Sequence, residues 1–402
     1  MTKPLDGVRV LDLSRVLAGP WATQALADLG AEVIKVEQPG SGDDTRHWGP
    51  PWHEHEGAKV AAYFLAANRG KRSVAIDFSN DEGAALVRRM AADCDVVVEN
   101  FKVGGLKKFR LDAETLRDAN PRLIYASITG FGQDGPYAGR AGYDYIIQGM
   151  GGLMSLTGLP DEEPGGGPMR VGVAVADLFT GMYTAQAILA ALIRRGVTGE
   201  GATIDMALFD TQLALLANQA SNALVSGKDP QRQGAGHPNI VPYQPFAASD
   251  QPIIVAVGND RQFAKLAAIL GHPEWASDPA FATNAARVGA RERLVPLIAR
   301  ILAERPAAEW LAQLEQGGIP AGPINTVLQA LADPQAVHRG ARVSGGGGAL
   351  GDVAMVGSPI RLDGERIDAP LPPPALGEHG DLLGEWVAAD ELARLRAAGI
   401  VG

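Results

Sequence analysis

Asp177 is the residue in this chain whose setting most needs a chemical explanation. It stands between the apolar stretch Val171–Ala176 and a largely apolar segment of helical character. An ionised carboxylate in such surroundings is costly unless a partner or a reaction uses it. The simplest local role is an N-cap, because Asp is among the residues favoured where a helix begins.

The other candidates are weaker. His53-Glu54-His55 is the only close histidine pair; its i,i+2 spacing in a Pro- and Trp-rich loop, without a third ligand, reads as a solvated loop and not as a metal site. Cys94 is the single cysteine, which excludes internal disulfides and thiolate-rich metal centres. Beside Val96–Val98 it reads as a buried strand-edge thiol. No GxGxxG follows the first strand, and neither GxxxxGK[ST] nor GxSxG occurs, so the familiar dinucleotide, P-loop and serine-hydrolase sites are missing.

The elements that must position Asp177 follow from periodicity. Val8–Leu13, Ala31–Val36, Ser73–Phe78, Asp95–Glu99, Leu123–Ile128 and Gly201–Met206 read as strands. Pro20–Leu29, Asp81–Ala92, Leu178–Arg195 and Phe209–Val225 read as helices. This alternation predicts an α/β fold with a doubly wound, largely parallel sheet, whose ligands bind beyond the carboxyl ends of the strands. The loops to watch are Ser14–Gly19, Asn68–Arg72, Asn100–Gly105 and Thr129–Tyr143. Ser226–Pro242 is Gly-, Pro- and Gln-rich and reads as a linker or lid. A second unit comes after it, with strand Pro252–Val257 and helices near Gln262–Leu270, Arg291–Leu302 and Ala308–Gln316. The four glycines Gly345–Gly348 precede no helix and read as a hairpin turn.

Bulk properties agree. At 402 residues the chain exceeds the size at which one core usually stops growing, so two domains are expected. A net charge of −10 with scattered basic residues argues against nucleic acid or an anionic membrane as partner. No run of about 18 apolar residues is evident and Met1–Gly7 lacks an apolar core, so neither a membrane span nor a signal peptide is expected. The reading is a cytoplasmic protein.

Beyond these local signals, an ordered set of motifs resembles the class III CoA-transferases, the CaiB/BaiF group that includes formyl-CoA and carnitine-CoA transferases. The motifs are Val10–Pro20 (VLDLSRVLAGP), Gly30–Glu37 (GAEVIKVE), Gly40–Arg46 (GSGDDTR), Asn68–Ser73 (NRGKRS), Glu99-Asn100-Phe101, Gly142-Tyr143-Asp144, Asp177 with its helix, and Pro373–His379 (PPALGEH). The resemblance spans nearly the whole chain and is nearest to the branch that uses succinyl-CoA with glutarate or hydroxymethylglutarate. It implies that Asp177 is the nucleophile, forming an aspartyl-acyl anhydride and then an aspartyl-CoA thioester. No cofactor is held permanently; CoA or acyl-CoA is a co-substrate, and a small carboxylic acid is the other.

The same resemblance assigns CoA contacts to Leu17, Ala18, Lys71, Asn100, Phe101, Lys102, Lys108, Phe109, Tyr143 and Asp144. Arg15 or Arg46 would meet a second carboxylate, and Gly234, Gly236 and His237 would form a glycine loop over the intermediate. It implies a large Rossmann-like domain from 1–225 and 336–402, a smaller α+β domain over 226–335, and an interlocked homodimer. Leu17 replaces the glutamine of formyl-CoA transferases, which turns the expectation away from oxalate. The rivals are a 2-methylacyl-CoA racemase, which needs a histidine where this chain has Tyr143, and a non-catalytic CoA-binding protein.

Overall fold

Short β-branched runs that are buried on both faces suit a parallel sheet, because its crossover helices cover both sides. In the computed structural model, which describes residues 3–368 and 371–402, six strands join in one sheet, the edge strand at 202–207 being exposed on one face. In chain order the strands are β1 (Arg9–Asp12), β2 (Glu32–Glu37), a separate hairpin of β3 (Trp52–His55) and β4 (Ala58–Ala61), then β5 (Lys71–Ala75), β6 (Val96–Glu99), β7 (Ile124–Thr129) and β8 (Ala202–Ala207). The sheet order is β5-β2-β1-β6-β7-β8, parallel throughout. The order reverses between β1 and β6, and such a switch opens a crevice beyond the strand ends.

The helices of this part are α1 (Ala18–Asp28), α2 (Ala62–Ala66), α3 (Asp81–Ala92), α4 (Ala113–Ala119), α5 (Asp144–Met150), α6 (Leu153–Leu156), α7 (Val175–Thr198), α8 (Leu208–Leu215) and α9 (Ala217–Ser226). Alternate residues of a strand face opposite sides, and the sheet's two cores follow that rule. Leu11, Ile34 and Val97 pack with Leu86 and Met90 of α3 and with Leu392 and Leu395 of the carboxyl tail. Val10, Val33, Val96 and Val98 pack with Leu26 of α1 and Ile188 of α7. The tail is further tied to the sheet by the Gly402 N–H, which donates to the Ala75 carbonyl at 3.0 Å.

Two compact units divide the chain. One comprises Met1–Leu153, Val171–Leu224 and Pro334–Gly402; the other comprises Met154–Arg170 and Val225–Asp333. Residues 154–170, placed in the large domain by sequence, thus cluster with the second unit. There, β9 (Tyr243–Ala247), β10 (Pro252–Ala256) and β11 (Ala321–Pro323) form an antiparallel sheet in the order β11-β10-β9. Phe263, Leu294, Ile298 and Trp310 make its core.

Four sequence expectations change. α7 begins three residues earlier than expected, with Ala174 at the N-cap, so Asp177 lies within the first turn and is not the cap. The expected helix Phe209–Val225 is broken at Ala217, whose φ is +44°. His53 and His55 lie on a strand, and His53 Nε2 bonds the Leu350 carbonyl at 2.7 Å. Finally, α7 has the length and mean hydropathy (1.3) to cross a membrane, which the sequence reading overlooked. One face of it, with Thr180, Thr184, Ala185 and Ile188, is buried, and its main packing is against α1, while Phe179, Met182 and Tyr183 on the other face are exposed. Gly345 ends β12 (Arg342–Gly345), which pairs with β13 (Val353–Val356), so the glycine tract is the expected hairpin turn. Cys94 is buried in the core, and burial pushes its thiol up to about 12.

Candidate active site

The first turn of α7 carries Asp177, and its free N–H groups are met from outside the helix. Asp144, at the start of α5, accepts the Ala176 N–H at 2.8 Å and the Asp177 N–H at 3.4 Å through Oδ1. Its Oδ2 accepts Gln148 Nε2 at 2.7 Å. Asp144 therefore supplies the cap that Ala174 cannot. One turn beyond Asp177, Gly181 sits where a Cβ would lie 2.6 Å from the Ala18 carbonyl and 3.0 Å from the Trp21 side chain. Only glycine permits that approach, and it presses the head of α7 onto the head of α1.

Among the described residues no cation pairs with Asp177. Burial raises its carboxyl, the charge of Asp144 raises it further, and it reaches about 7. Near neutrality the group is held between its protonated and ionised forms, and a modest change in surroundings commits it to either. Tyr63, half-buried, is raised by burial and then by the negative charges of Asp177 and Asp144.

Asp177 opens onto a cleft of about 190 Å³ at the β1/β6 switch. Arg15, Leu17 and Ala18 from the loop after β1 line it. So do Asn100, Phe101 and Lys102 from the loop after β6, and Tyr143 from the approach to α5. The two loops are laced together: Asn100 Oδ1 accepts the Arg15 N–H at 2.8 Å and its Nδ2 donates to the Arg15 carbonyl at 2.6 Å. A second cavity of about 300 Å³ shares Arg15, Asp44 and Phe101 with the first. Its wall is an aromatic trio in which Phe78 meets the Phe101 and Phe109 rings edge-on, each at 5.9 Å. Arg15 lies over Phe101 at 5.0 Å, and exposed Lys108 lies over Phe109 at 4.5 Å.

Three sequence assignments fail on geometry. Lys71 does not face a ligand: it is fully buried, and its Nζ donates to Asp12 (3.0 Å), the Pro20 carbonyl (2.9 Å) and Asn68 (2.9 Å). Arg46 is likewise consumed. It grips Glu37 at 2.7 and 2.8 Å, donates to the Pro374 carbonyl and stacks 3.7 Å from the Phe64 ring. The nearby carboxylates Asp43 and Asp44 are met by Lys35 and Arg15 instead. Asp144 acts as the helix cap above and does not line the cleft.

Arg15 pairs with Asp44 at 3.3 Å, but both side chains are about half exposed, so the pair is weak and easily exchanged. In the second unit, the segment Gly234–His237 is an anchored turn and not a plain linker. Gly234 has φ +57°, the Gly236 N–H donates to the Gln233 carbonyl, and the His237 carbonyl accepts Arg291 Nη2 at 2.6 Å.

Sequence reasoning missed Arg140. It lines the Asp177 cleft, 4.6 Å over the Tyr137 ring, with no carboxylate partner among the described residues. In the sequence it stands in a Gly-rich turn and gives no signal of its own. Among the described residues that line the cleft, Tyr143 stands where the racemase reading needs a histidine.

Comparison with known proteins points the same way. A family model described as CoA-transferase family III matches residues 5–380. The chain is 52% identical over 378 residues to a succinate–glutarate CoA-transferase of Agrobacterium fabrum, covering 94% of each chain. It is 42% identical over 402 residues to the succinyl-CoA:glutarate CoA-transferase of Homo sapiens, covering 99% of this chain and 90% of that one. Among solved structures, a CAIB/BAIF family protein from Brucella suis superposes with a TM-score of 0.85 at 52% identity, covering 98% of this chain and 100% of the other.

Proposed function

Because the chain belongs to CoA-transferase family III and is a CoA-transferase, we propose that it moves CoA from succinyl-CoA to a dicarboxylic acid of the glutarate type by covalent catalysis on Asp177. The observation that carries this reading is the unpaired carboxyl of Asp177 at the head of α7, open to the cleft at the sheet's switch point. The names of the similar enzymes support the acids.

In this reading a carboxylate oxygen of Asp177 attacks the thioester carbonyl. The C–S bond breaks, CoA leaves as its thiolate, and an aspartyl-succinyl anhydride remains. The thiolate then attacks the aspartyl carbonyl, releasing succinate and leaving an aspartyl-CoA thioester. The acceptor carboxylate displaces CoA from that thioester to give a second anhydride. CoA opens it at the acceptor's carbonyl, so that glutaryl-CoA departs and the Asp177 carboxylate is restored. Each step exchanges one activated acyl bond for another, which divides a hard substitution into easier ones.

The CoA nucleotide suits the cavity walled by Phe78, Phe101 and Phe109, with Lys102 and Lys108 exposed nearby for phosphate. The cavity's shared wall at Arg15 and Phe101 leads the thiol arm toward Asp177. Arg140, and Arg15 once it exchanges its exposed pair with Asp44, can meet the acceptor's distal carboxylate by the fork geometry that guanidinium offers. A homodimer is part of the proposal. The outer face of α7 exposes Phe179, Met182, Tyr183, Ile193 and Val197, a long apolar stripe of the kind that subunit contacts cover.

The test is mass spectrometry of the protein incubated with succinyl-CoA and trapped with hydroxylamine or borohydride, beside Asp177→Ala. A modified peptide carrying Asp177, absent from the variant, is the expected result. An unmodified Asp177 together with α-proton exchange into a 2-methylacyl-CoA would replace this reading with epimerisation.

A further inference from the structure

Val16 is the only β-branched residue among the described non-glycine residues with positive φ. At +69° it occupies the left-handed region, where a branched side chain is a true outlier. Such a conformation persists only when its surroundings over-determine it, and here they do. Both oxygens of Asp43 receive the Val16 N–H, at 3.2 and 3.3 Å. Asp43 is in turn fixed by Lys35, whose Nζ donates to Asp43 Oδ2 at 2.9 Å and to the Ser14 carbonyl at 2.8 Å. One buried lysine thus holds the start of the turn directly and its middle through Asp43. Thr45 adds two further bonds to Asp43 Oδ1, at 3.0 Å from its N–H and 2.8 Å from its hydroxyl.

The turn matters because it aims the next two residues. Leu17 is the N-cap residue of α1, its carbonyl accepts the Trp21 N–H at 2.7 Å, and Leu17 and Ala18 line the cleft with Asp177. Rotating Val16 into an ordinary conformation would swing the 16–17 peptide and carry both residues away from the carboxyl they face. We propose that Asp43 is a positioning residue for the transfer reaction: it holds Val16 in the left-handed turn that presents Leu17 and Ala18 to Asp177. This rests on the CoA-transferase activity and not on the identity of the acids.

The alternative is that Asp43 serves only as the counter-ion of Lys35. Glycine distinguishes the two, because it adopts positive φ freely. The experiment compares Asp43→Asn in the natural background and in a Val16→Gly background. It measures CoA transfer with the acyl-CoA that the unmodified protein turns over, and thermal unfolding beside it. The expected result is a fall of tenfold or more in kcat/KM with Val16 present, and less than threefold when Val16→Gly is the reference. The drop in unfolding temperature, which reports on Lys35, should be similar in both backgrounds. An equal loss of activity in both backgrounds would overturn the proposal. If Asp43→Asn does not fold, Asp43→Glu takes its place in the same comparison. Failure of both variants to fold in either background would also overturn it, since Asp43 would then be needed for Lys35 regardless of Val16.

Discussion

Asp12 and Asp177 are two aspartates of one unit, the first fully buried and the second half-buried at a cleft, and their carboxyls are shifted in opposite directions. Burial pushes Asp12 up, but Lys71 and Lys35 outweigh it and bring the group down to about 2. Ser14 and Thr23 complete its shell, at 2.9 Å from the Ser14 N–H and 2.7 Å from the Thr23 hydroxyl. Asp177, half-buried where it lines the cleft, is raised by that burial and by a carboxylate neighbour, and reaches about 7. The more deeply buried acid is the one shifted down, so its cationic partners outweigh its depth and tie it into the fold, while the acid without them remains available to react. Asp12 closes the end of β1 as a finished network; Asp177 has no cation among the described residues to hold its charge.

The comparison breaks first at Asp177. Asp177→Asn should lower transfer by roughly a thousandfold or more, as loss of a covalent nucleophile does. Stability should move the other way. The folded carboxyl titrates above its ordinary value of 3.8, so the fold's ionised form is disfavoured as pH rises from there through 7. The variant should therefore unfold at higher urea than the natural chain at pH 8 and lose that advantage at pH 4. In the natural chain, kcat/KM should fall on the acid side of about 7. A variant that is less stable at pH 8 would mean that Asp177 has a partner and that the contrast with Asp12 is false.

Next in size is the other side of the contrast. Lys71→Met removes the hydrogen-bonded cation from a fully buried pair and leaves Asp12 only the more indirect charge of Lys35 and its Ser14 and Thr23 donors, at a cost of about 3 kcal/mol. Urea unfolding measures it. The depressed Asp12 contributes stability that is present above about 4 and is lost as pH falls toward 2, so the variant should also lose part of the natural chain's acid-dependent unfolding. A variant of normal stability but weakened CoA affinity would restore Lys71 to the phosphate role that resemblance gave it.

That reversal marks where sequence stopped being informative. The parallel sheet was legible because burial on both faces leaves β-branched runs between helical ones, and β1, β2, β6, β7 and β8 fall within a residue or two of expectation. Leu17, Ala18, Asn100 and Phe101 meet at one cleft because the motifs that carry them follow the two strands flanking the switch, and Tyr143 and Asp177 join them from the approach to α5 and the head of α7. Charged side chains were another matter. Lys71 and Arg46 look like surface cations in a basic or acidic loop, yet their partners Asp12 and the Pro374 carbonyl lie 59 and 328 residues away. No spacing rule reaches that far. Arg140 was missed for the converse reason: a turn arginine becomes meaningful only when folding lays it beside Asp177. The 154–170 segment shows the same limit at the scale of units, since its place is decided by contacts with distant sequence such as Arg232 on Asp161.

Glu99 offers the finest test of the partner rule, because it lies between the two cases. It is 6% exposed at the end of β6 and has no cation partner among the described residues, but it accepts the Phe101 N–H at 2.7 Å and the Ser127 hydroxyl. Burial pushes it up, the two donors draw it partly back, and it settles at about 7. Neutral donors thus moderate a buried carboxyl without reversing its shift. The folded state binds more protons than the unfolded one between about 4.5 and 7, so the natural chain loses stability as pH rises through that window. Glu99→Gln cannot titrate, and its amide can still accept from Phe101 and donate to Ser127. Its stability relative to the natural chain should improve by about 3 kcal/mol between pH 4.5 and pH 8, the equivalent of the shift at 1.36 kcal/mol per pH unit. Urea titrations at the two pH values read this directly. A pH-independent difference would mean that hydrogen bonds from Ser127 and Phe101 alone keep Glu99 ionised, and that a carboxylate needs no cation to be settled in this fold.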